Sequence, residues 1–375
     1  MKDNPLKGVG ALGQSIWLDY IRKDLIASGA LLRLIEEDGL QGMTSNPAIF
    51  EKAIVGSHDY DEDIQTLAKE GKGAKDIYEI LSRRDVQKAA DVFRPLYDRL
   101  DGRDGYVSLE VNPHLARDTS GTVEEARRLW AGLNRPNVFI KVPATSEGLP
   151  AIRQLISEGI NVNVTLLFGL PRYRQVAEAY VAGLEARAAQ GHDVSHTASV
   201  ASFFVSRLDT LVDPLLEARI ARDGQSADLA KQALGQVAIA SAKLAYQSWK
   251  EIFGQGRFKN LARKGARVQR LLWASTGTKN PAYRDVKYLE ALIGPDTVNT
   301  VPVETLDAFR DHGVPQANLD HDVATASGIL GQLGALGIDL DALTQQLEDE
   351  GVTKFNQPFD KLMAALVERS SRRPA

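Results

Sequence analysis

Eight short runs of β-branched and apolar residues recur along the chain, each followed by a longer stretch of helical periodicity. The runs are "SIWLDY" from Ser15, "GMTSN" from Gly42, "YVSLEV" from Tyr106, "VFIKVP" from Val138, "INVNVTLL" from Ile160, "ASVASFFVS" from Ala198, "RLLWAST" from Arg270 and "TVNTVP" from Thr297. Between them, "TVEEARRLWAGL" from Thr122, "GLPAIRQLISEG" from Gly148 and "PRYRQVAEAYVAGLEARAAQG" from Pro171 place apolar residues at three- and four-residue steps. Thr122 with Glu125 reads as a helix start, Pro150 and Pro171 lie in first turns, and Gly159 and Gly191 close their helices. Strands that alternate with helices pair in parallel, because each return to the same edge needs a crossover. Eight such units predict an α/β fold, a (β/α)8 TIM barrel with additional helices, including C-terminal helices.

The connections from Asn46 to Tyr106 and from Ser206 to Arg270 are long and carry helical patterns, so extra helices fill them. After Pro302, "ATASGILGQLGALG" and "KFNQPFDKLMAALVERS" are helical patterns expected to pack on the barrel's outside, to lid its mouth or to form a subunit contact, and the terminal "SRRPA" is expected to fray. No repeat or linker divides the 375 residues. The expectation is one domain, 1–375, with a barrel core of about 13–310 and a helical extension, 311–375, packed on it. A formal charge of −4 offers no field for a phosphate backbone, so nucleic acid is not an expected partner. The absence of cysteine excludes disulfides, thiolate metal sites and a cysteine nucleophile. With no run of about 18 apolar residues and no apolar leader in "MKDNPLKGVGALG", a cytoplasmic protein without a membrane partner is expected; a homo-oligomer stays open. The basic "RFKNLARKGARVQR" from Arg257 reads as a solvated helix leading into the seventh strand, and His192 and His196 in "GHDVSH" as a solvated loop.

Side chains alternate between the two faces of a strand, which makes the parity of each run readable. Ile16 and Leu18 oppose Trp17 and Asp19; Val107, Leu109 and Val111 oppose Ser108 and Glu110; Val138, Ile140 and Val142 oppose Phe139 and Lys141. In the fifth run Val162, Val164 and Leu166 oppose Asn161, Asn163 and Thr165. If the aliphatic face meets the helices, the polar set converges inside the barrel, where burial without a task is costly. Trp273, on the parity of Ser275, reads as barrel filling. Lys141 stands out, because a lysine attacks a carbonyl only when unprotonated, and an apolar strand disfavours the ammonium. Ionised Glu110 and Asp19 nearby would oppose that effect, yet they are the proton carriers such chemistry needs.

These residues resemble a known family. "GMTSNPAIF" from Gly42 and "IKVPATSEGLPAI" from Ile140 are similar to the two signature segments of transaldolases, and "VSLEVNP", "GINVNVTLLF" and "SFFVSRLD" follow in that family's order. The likeness runs from about Gly13 to about Phe309, leaving the tail outside, and is nearest the longer bacterial branch. It implies Schiff-base transfer of a dihydroxyacetone unit between sugar phosphates in the non-oxidative pentose phosphate pathway, with no metal or organic cofactor. The donors implied are sedoheptulose 7-phosphate or fructose 6-phosphate, and the acceptors glyceraldehyde 3-phosphate or erythrose 4-phosphate. Lys141 resembles the Schiff-base lysine, Glu110 and Thr165 the pair that handles the catalytic water, and Asp19 the base for the C4 hydroxyl. Thr44, Asn46, Asn163 and Ser202 match residues that orient water or substrate, Phe204 an aromatic of the pocket, and Arg207 and Ser275 two phosphate contacts. Where many members carry a second arginine this chain has Gly277, and Lys279 is the expected substitute.

Each residue also has a plainer reading. Asn46-Pro47 could end a strand in a turn, Arg207 could pair with Asp209 or Glu217, and Phe204 could be core. Among functions, a fructose-6-phosphate aldolase would resemble this pattern but for glutamine and tyrosine where Glu110 and Phe204 stand. A metal-dependent aldolase lacks histidines on the inward parity, and a silent sugar-phosphate-binding barrel has no reason to keep Asp19, Glu110 and Lys141 buried.

Overall fold

The computed structural model describes residues 4–222, 224–254 and 256–371. All eight runs are strands: β1 (Gln14–Asp19), β2 (Gly42–Thr44), β3 (Tyr106–Glu110), β4 (Val138–Pro143), β5 (Val162–Leu167), β6 (Ser199–Phe204), β7 (Arg270–Ala274) and β8 (Thr297–Val301). Each pairs in parallel with the next and β8 pairs back with β1, closing the TIM barrel. The long connections hold the extra helices, Pro47–Val55, Asp61–Lys69 and Ala74–Arg99 in the first, with Ser206–Ile220 and Val237–Gly254 in the second. Gly159 and Gly191 close their helices at φ +84° and +78°, the left-handed conformation that costs other residues most. One helix start differs from expectation. The helix Thr119–Leu133 is capped by the Asp118 side chain, which accepts from Gly121 N–H, while Glu125 accepts from the Asn112 N–H beneath it. Arg257 of the basic stretch pairs with Glu178 and Glu185 at 2.6 Å each, and His192 and His196 are exposed.

Inside, the N-terminal end of the barrel is filled by Trp17, Phe139 and Tyr106, with ring centroids 6.1 Å and 4.3 Å apart in that order. Gly42 makes room for them, since a β-carbon there would lie 2.5 Å from the Trp17 ring. Beneath the rings, Asp104 accepts from Ser15 Oγ at 2.7 Å, Trp17 Nε1 at 2.9 Å and Arg270 Nη1 at 3.1 Å. A cavity of about 390 Å³ opens at this end, opposite Lys141.

Two parity readings are overturned. Trp273 is not barrel filling: it lies in register with Phe203, whose ring meets Tyr173 of the helix Leu170–Ala189 edge-on at 6.5 Å. The cause is Ser275, whose φ of +54° breaks the alternation that had tied it to Trp273. Leu166 also leaves the aliphatic face. With φ +56° it forms a β-bulge between Val164 and Leu167, and it turns toward Gly351 near the barrel mouth.

The tail makes the helix Leu340–Ser371, 32 residues and therefore about 48 Å long. It packs on the helices Pro47–Val55 and Ala74–Arg99 and crosses the end of β5, so it lies over the mouth as well as the flank. The expected fraying falls on residues 372–375, outside the described residues, while Ser371 is helical. Among the described residues no single helix is long and apolar enough to cross a membrane.

Candidate active site

Register assembles the site. Glu110 on β3 is the partner of Lys141 on β4, Lys141 of Asn163 on β5, and Asp19 on β1 of Thr44 on β2. Lys141 and Glu110 are 4% and 5% exposed, their charged atoms 3.4 Å apart in an ionic contact rather than a directed hydrogen bond. The lysine nitrogen donates instead to the Ser45 carbonyl at 3.1 Å. Thr165 Oγ1, buried two residues further along β5 than Asn163, makes no hydrogen bond among the described residues. Thr44 Oγ1 donates to Asp19 at 2.7 Å and meets Thr300 Oγ1 at 2.7 Å. Asn163 links two strands, donating to Ser108 Oγ at 3.0 Å and accepting from Ser202 Oγ at 2.7 Å. Asn161, on the same parity, ties backbone instead: it donates to the Val138 carbonyl and accepts from Ala198 N–H.

Toward the mouth, Asn46 caps the helix Pro47–Val55 by accepting from Ile49 N–H at 3.0 Å, which leaves its amide NH2 for a ligand. Phe204 packs on Phe168 at 5.0 Å, and the Arg207 guanidinium lies 5.1 Å from the Phe204 ring. Arg207 does not pair with Asp209, which accepts from Ala238 N–H and Tyr288 Oη. Burial draws the Arg207 guanidinium below its usual range, with Asp19 and Glu350 opposing. Ser275 Oγ sits 3.1 Å from Ser206 Oγ. The Lys279 nitrogen folds back to 3.8 Å from where a β-carbon at Gly277 would stand, with Pro302 and Thr305 nearer still at 3.1 and 3.4 Å. All twelve residues singled out from the sequence thus line the C-terminal half of the barrel or its rim. Three participants had no readable signal: the Ser45 carbonyl is backbone, Thr300 lies on a strand without clean alternation, and Phe355, whose ring is 5.7 Å from the Lys141 nitrogen, is in the tail.

Burial pushes the Glu110 carboxyl up to about 7, with Asp19 adding to the rise and the Lys141 ammonium opposing it. Asp19 is also raised, by burial first, against Lys141, the Thr44 hydrogen bond, Arg207 and Lys279. A carboxyl that titrates near neutrality and touches an amine can take and return its proton during a reaction. It also makes stability depend on pH. Between the ordinary value of 4.5 and about 7 the folded protein keeps a proton that the unfolded chain has lost, so stability falls as pH rises through that window. The loss is on the order of 3 kcal/mol. Glu110→Gln is therefore expected to flatten much of the decline in urea midpoint between about pH 5 and about pH 8, leaving the part due to Asp19.

Comparison with known proteins identifies the family. The family profile described as Transaldolase/Fructose-6-phosphate aldolase matches residues 16–366. A transaldolase of Trichodesmium erythraeum is 47% identical over 373 residues, covering 98% of each chain. One of Thiobacillus denitrificans is 48% identical over 363 residues, covering 97% of this chain and 99% of its own. One of Acidothermus cellulolyticus is 48% identical over 370 residues, covering 98% of each. The match takes in the terminal helix, which corrects the expectation that the tail lies outside the likeness. The chain belongs to the transaldolase/fructose-6-phosphate aldolase family and works as a transaldolase.

Proposed function

We propose that this transaldolase carries its substrate as a Schiff base on Lys141. The observation that supports this best is the buried Lys141–Glu110 pair at 3.4 Å, set at the end of the barrel where such enzymes build their sites. The Lys141 nitrogen adds to the ketone carbon of a ketose phosphate, and the ketone oxygen leaves as water, its protons moved by Glu110 with Thr165. The protonated imine then draws electrons from the C3–C4 bond as Asp19 takes the C4 hydroxyl proton. An aldose phosphate departs, and the remaining three-carbon enamine attacks the aldehyde of a second aldose phosphate, reversing the same steps.

Thr44, Asn46, Asn163 and Ser202 orient the sugar hydroxyls and the water, while Phe204 shapes the pocket. Arg207, Ser275 and Lys279 hold the phosphate, for which guanidinium, hydroxyl and ammonium donors are suited. In this reading the donors are sedoheptulose 7-phosphate and fructose 6-phosphate, the route is the non-oxidative pentose phosphate pathway, and the chain is one domain. The packing of the terminal helix on barrel helices supports the last point. A cytoplasmic setting is supported by the absence of cysteine.

Borohydride reduction in the presence of fructose 6-phosphate is expected to add the mass of a reduced three- or six-carbon unit at Lys141, read by peptide mass spectrometry. An unmodified Lys141 under turnover conditions overturns the reading. Free dihydroxyacetone released at the turnover rate without an acceptor would point instead to aldolase chemistry.

A further inference from the structure

The terminal helix reaches the reacting nitrogen, though its residues lie about two hundred positions from Lys141 in the chain. It is pinned at both ends. Arg369 donates to the Ile54, Val55 and Ser57 carbonyls at 2.8, 2.7 and 3.1 Å and pairs with Asp61, and Glu348 pairs with Arg172 at 3.1 Å. Between the pins Gly351 faces Leu166 and Phe168, where a β-carbon would meet Leu166 Cδ2 at 3.0 Å. A glycine in mid-helix weakens the helix, and here its lack of a side chain lets the helix lie close on the end of β5. One turn on, Phe355 is 4% exposed, with its ring 5.7 Å from the Lys141 nitrogen. A further turn on, Phe359 meets Tyr78 edge-on at 5.5 Å. On the other side of the mouth Asp19, Arg207 and Ser275 are part-exposed and Lys279 is exposed, so a sugar phosphate enters there, between β6 and β1.

We propose that Phe355 is the electrostatic partner of the reacting nitrogen: its ring stabilises the positive charge that Lys141 carries as a protonated imine. The proposal deepens the Schiff-base reading and rests on it. When a ketone and the lysine ammonium condense to a protonated imine and water, the cation stays on nitrogen, but two of the three hydrogens it could donate to neighbours such as the Ser45 carbonyl are lost. A π-face within about 6 Å attracts such a cation without needing a proton to share, and more strongly where water is excluded. Glu110, with its carboxyl near neutrality, is protonated through part of the cycle and cannot supply this charge continuously. The attraction of the ring does not change with protonation.

The test is borohydride trapping of the intact protein with fructose 6-phosphate, with the reduced adduct at Lys141 quantified by mass spectrometry. Phe355→Leu is expected to lower the trapped fraction at a fixed subsaturating donor concentration and the turnover about tenfold. Should that variant fail to fold, Phe355→Met is read in the same way. Mono- and trifluorinated phenylalanine at position 355 keep the shape of the ring while draining its face of charge, and are expected to lower trapping stepwise. A structural role alone would leave the fluorinated series level, and a level series overturns the proposal. Absence of any adduct in the unaltered protein overturns the Schiff-base reading itself, so the two failures are distinguishable.

Discussion

Lys141→Ala is expected to lower sugar-phosphate transfer by at least about 10⁴-fold, because it removes the buried amine beside Glu110 that forms the covalent intermediate, and Lys279 lies exposed at the rim. The loss should appear in a coupled assay of aldose phosphate release, with no adduct after borohydride treatment. The fold is expected to survive. Removing the ammonium leaves Glu110 without its cation, but that carboxyl already titrates at about 7 and can take up a proton rather than remain a buried charge. Far-ultraviolet circular dichroism and the urea transition should therefore stay near those of the parent protein at about pH 6, below the Glu110 transition. Turnover retained by a folded Lys141→Ala protein would rule out the covalent mechanism, whatever the geometry of the remaining residues.

Asp104→Ala is expected to destabilise the protein by about 3–5 kcal/mol while leaving turnover per folded molecule unchanged. Asp104 and Arg270 are 1% and 8% exposed, and Asp104 receives Ser15, Trp17 and Arg270 together. Without the carboxylate, the guanidinium is a buried cation left with neutral acceptors alone, the Arg103 and Thr297 carbonyls and Ser15 Oγ, and the Trp17 indole N–H loses its acceptor. The Trp17, Tyr106 and Phe139 rings lie between this network and the Lys141 layer, so the damage should stop at the floor of the barrel. Equilibrium urea denaturation measures the loss. A change under 1 kcal/mol would mean that water readily replaces the carboxylate there.

The strands and their inward faces were legible because alternation is a property of neighbouring residues. Val138, Ile140 and Val142 have to face the helices, and that alone turns Lys141 inward. The same rule misassigned Leu166 and Trp273, since one residue of left-handed backbone, at 166 itself or at 275, breaks a two-residue repeat and neither position is a glycine that would announce it. Thr122 and Glu125 had the spacing of a capping box, but Asp118, one turn earlier, was the better acceptor for the helix start.

By itself the sequence determined the closed eight-stranded barrel, the shared inward face of Asp19, Glu110 and Lys141, and a likeness that the whole-length relatives turn into membership of a family. Only the tertiary structure decided that the Lys279 amine folds back over Gly277, that the bulge aims Leu166 at the tail, and that Phe355 faces the Lys141 nitrogen. The reason is range. Periodicity and capping act over a few residues and leave a local signature, whereas the path of a 32-residue helix across the barrel mouth depends on where Arg369 and Glu348 find partners in space.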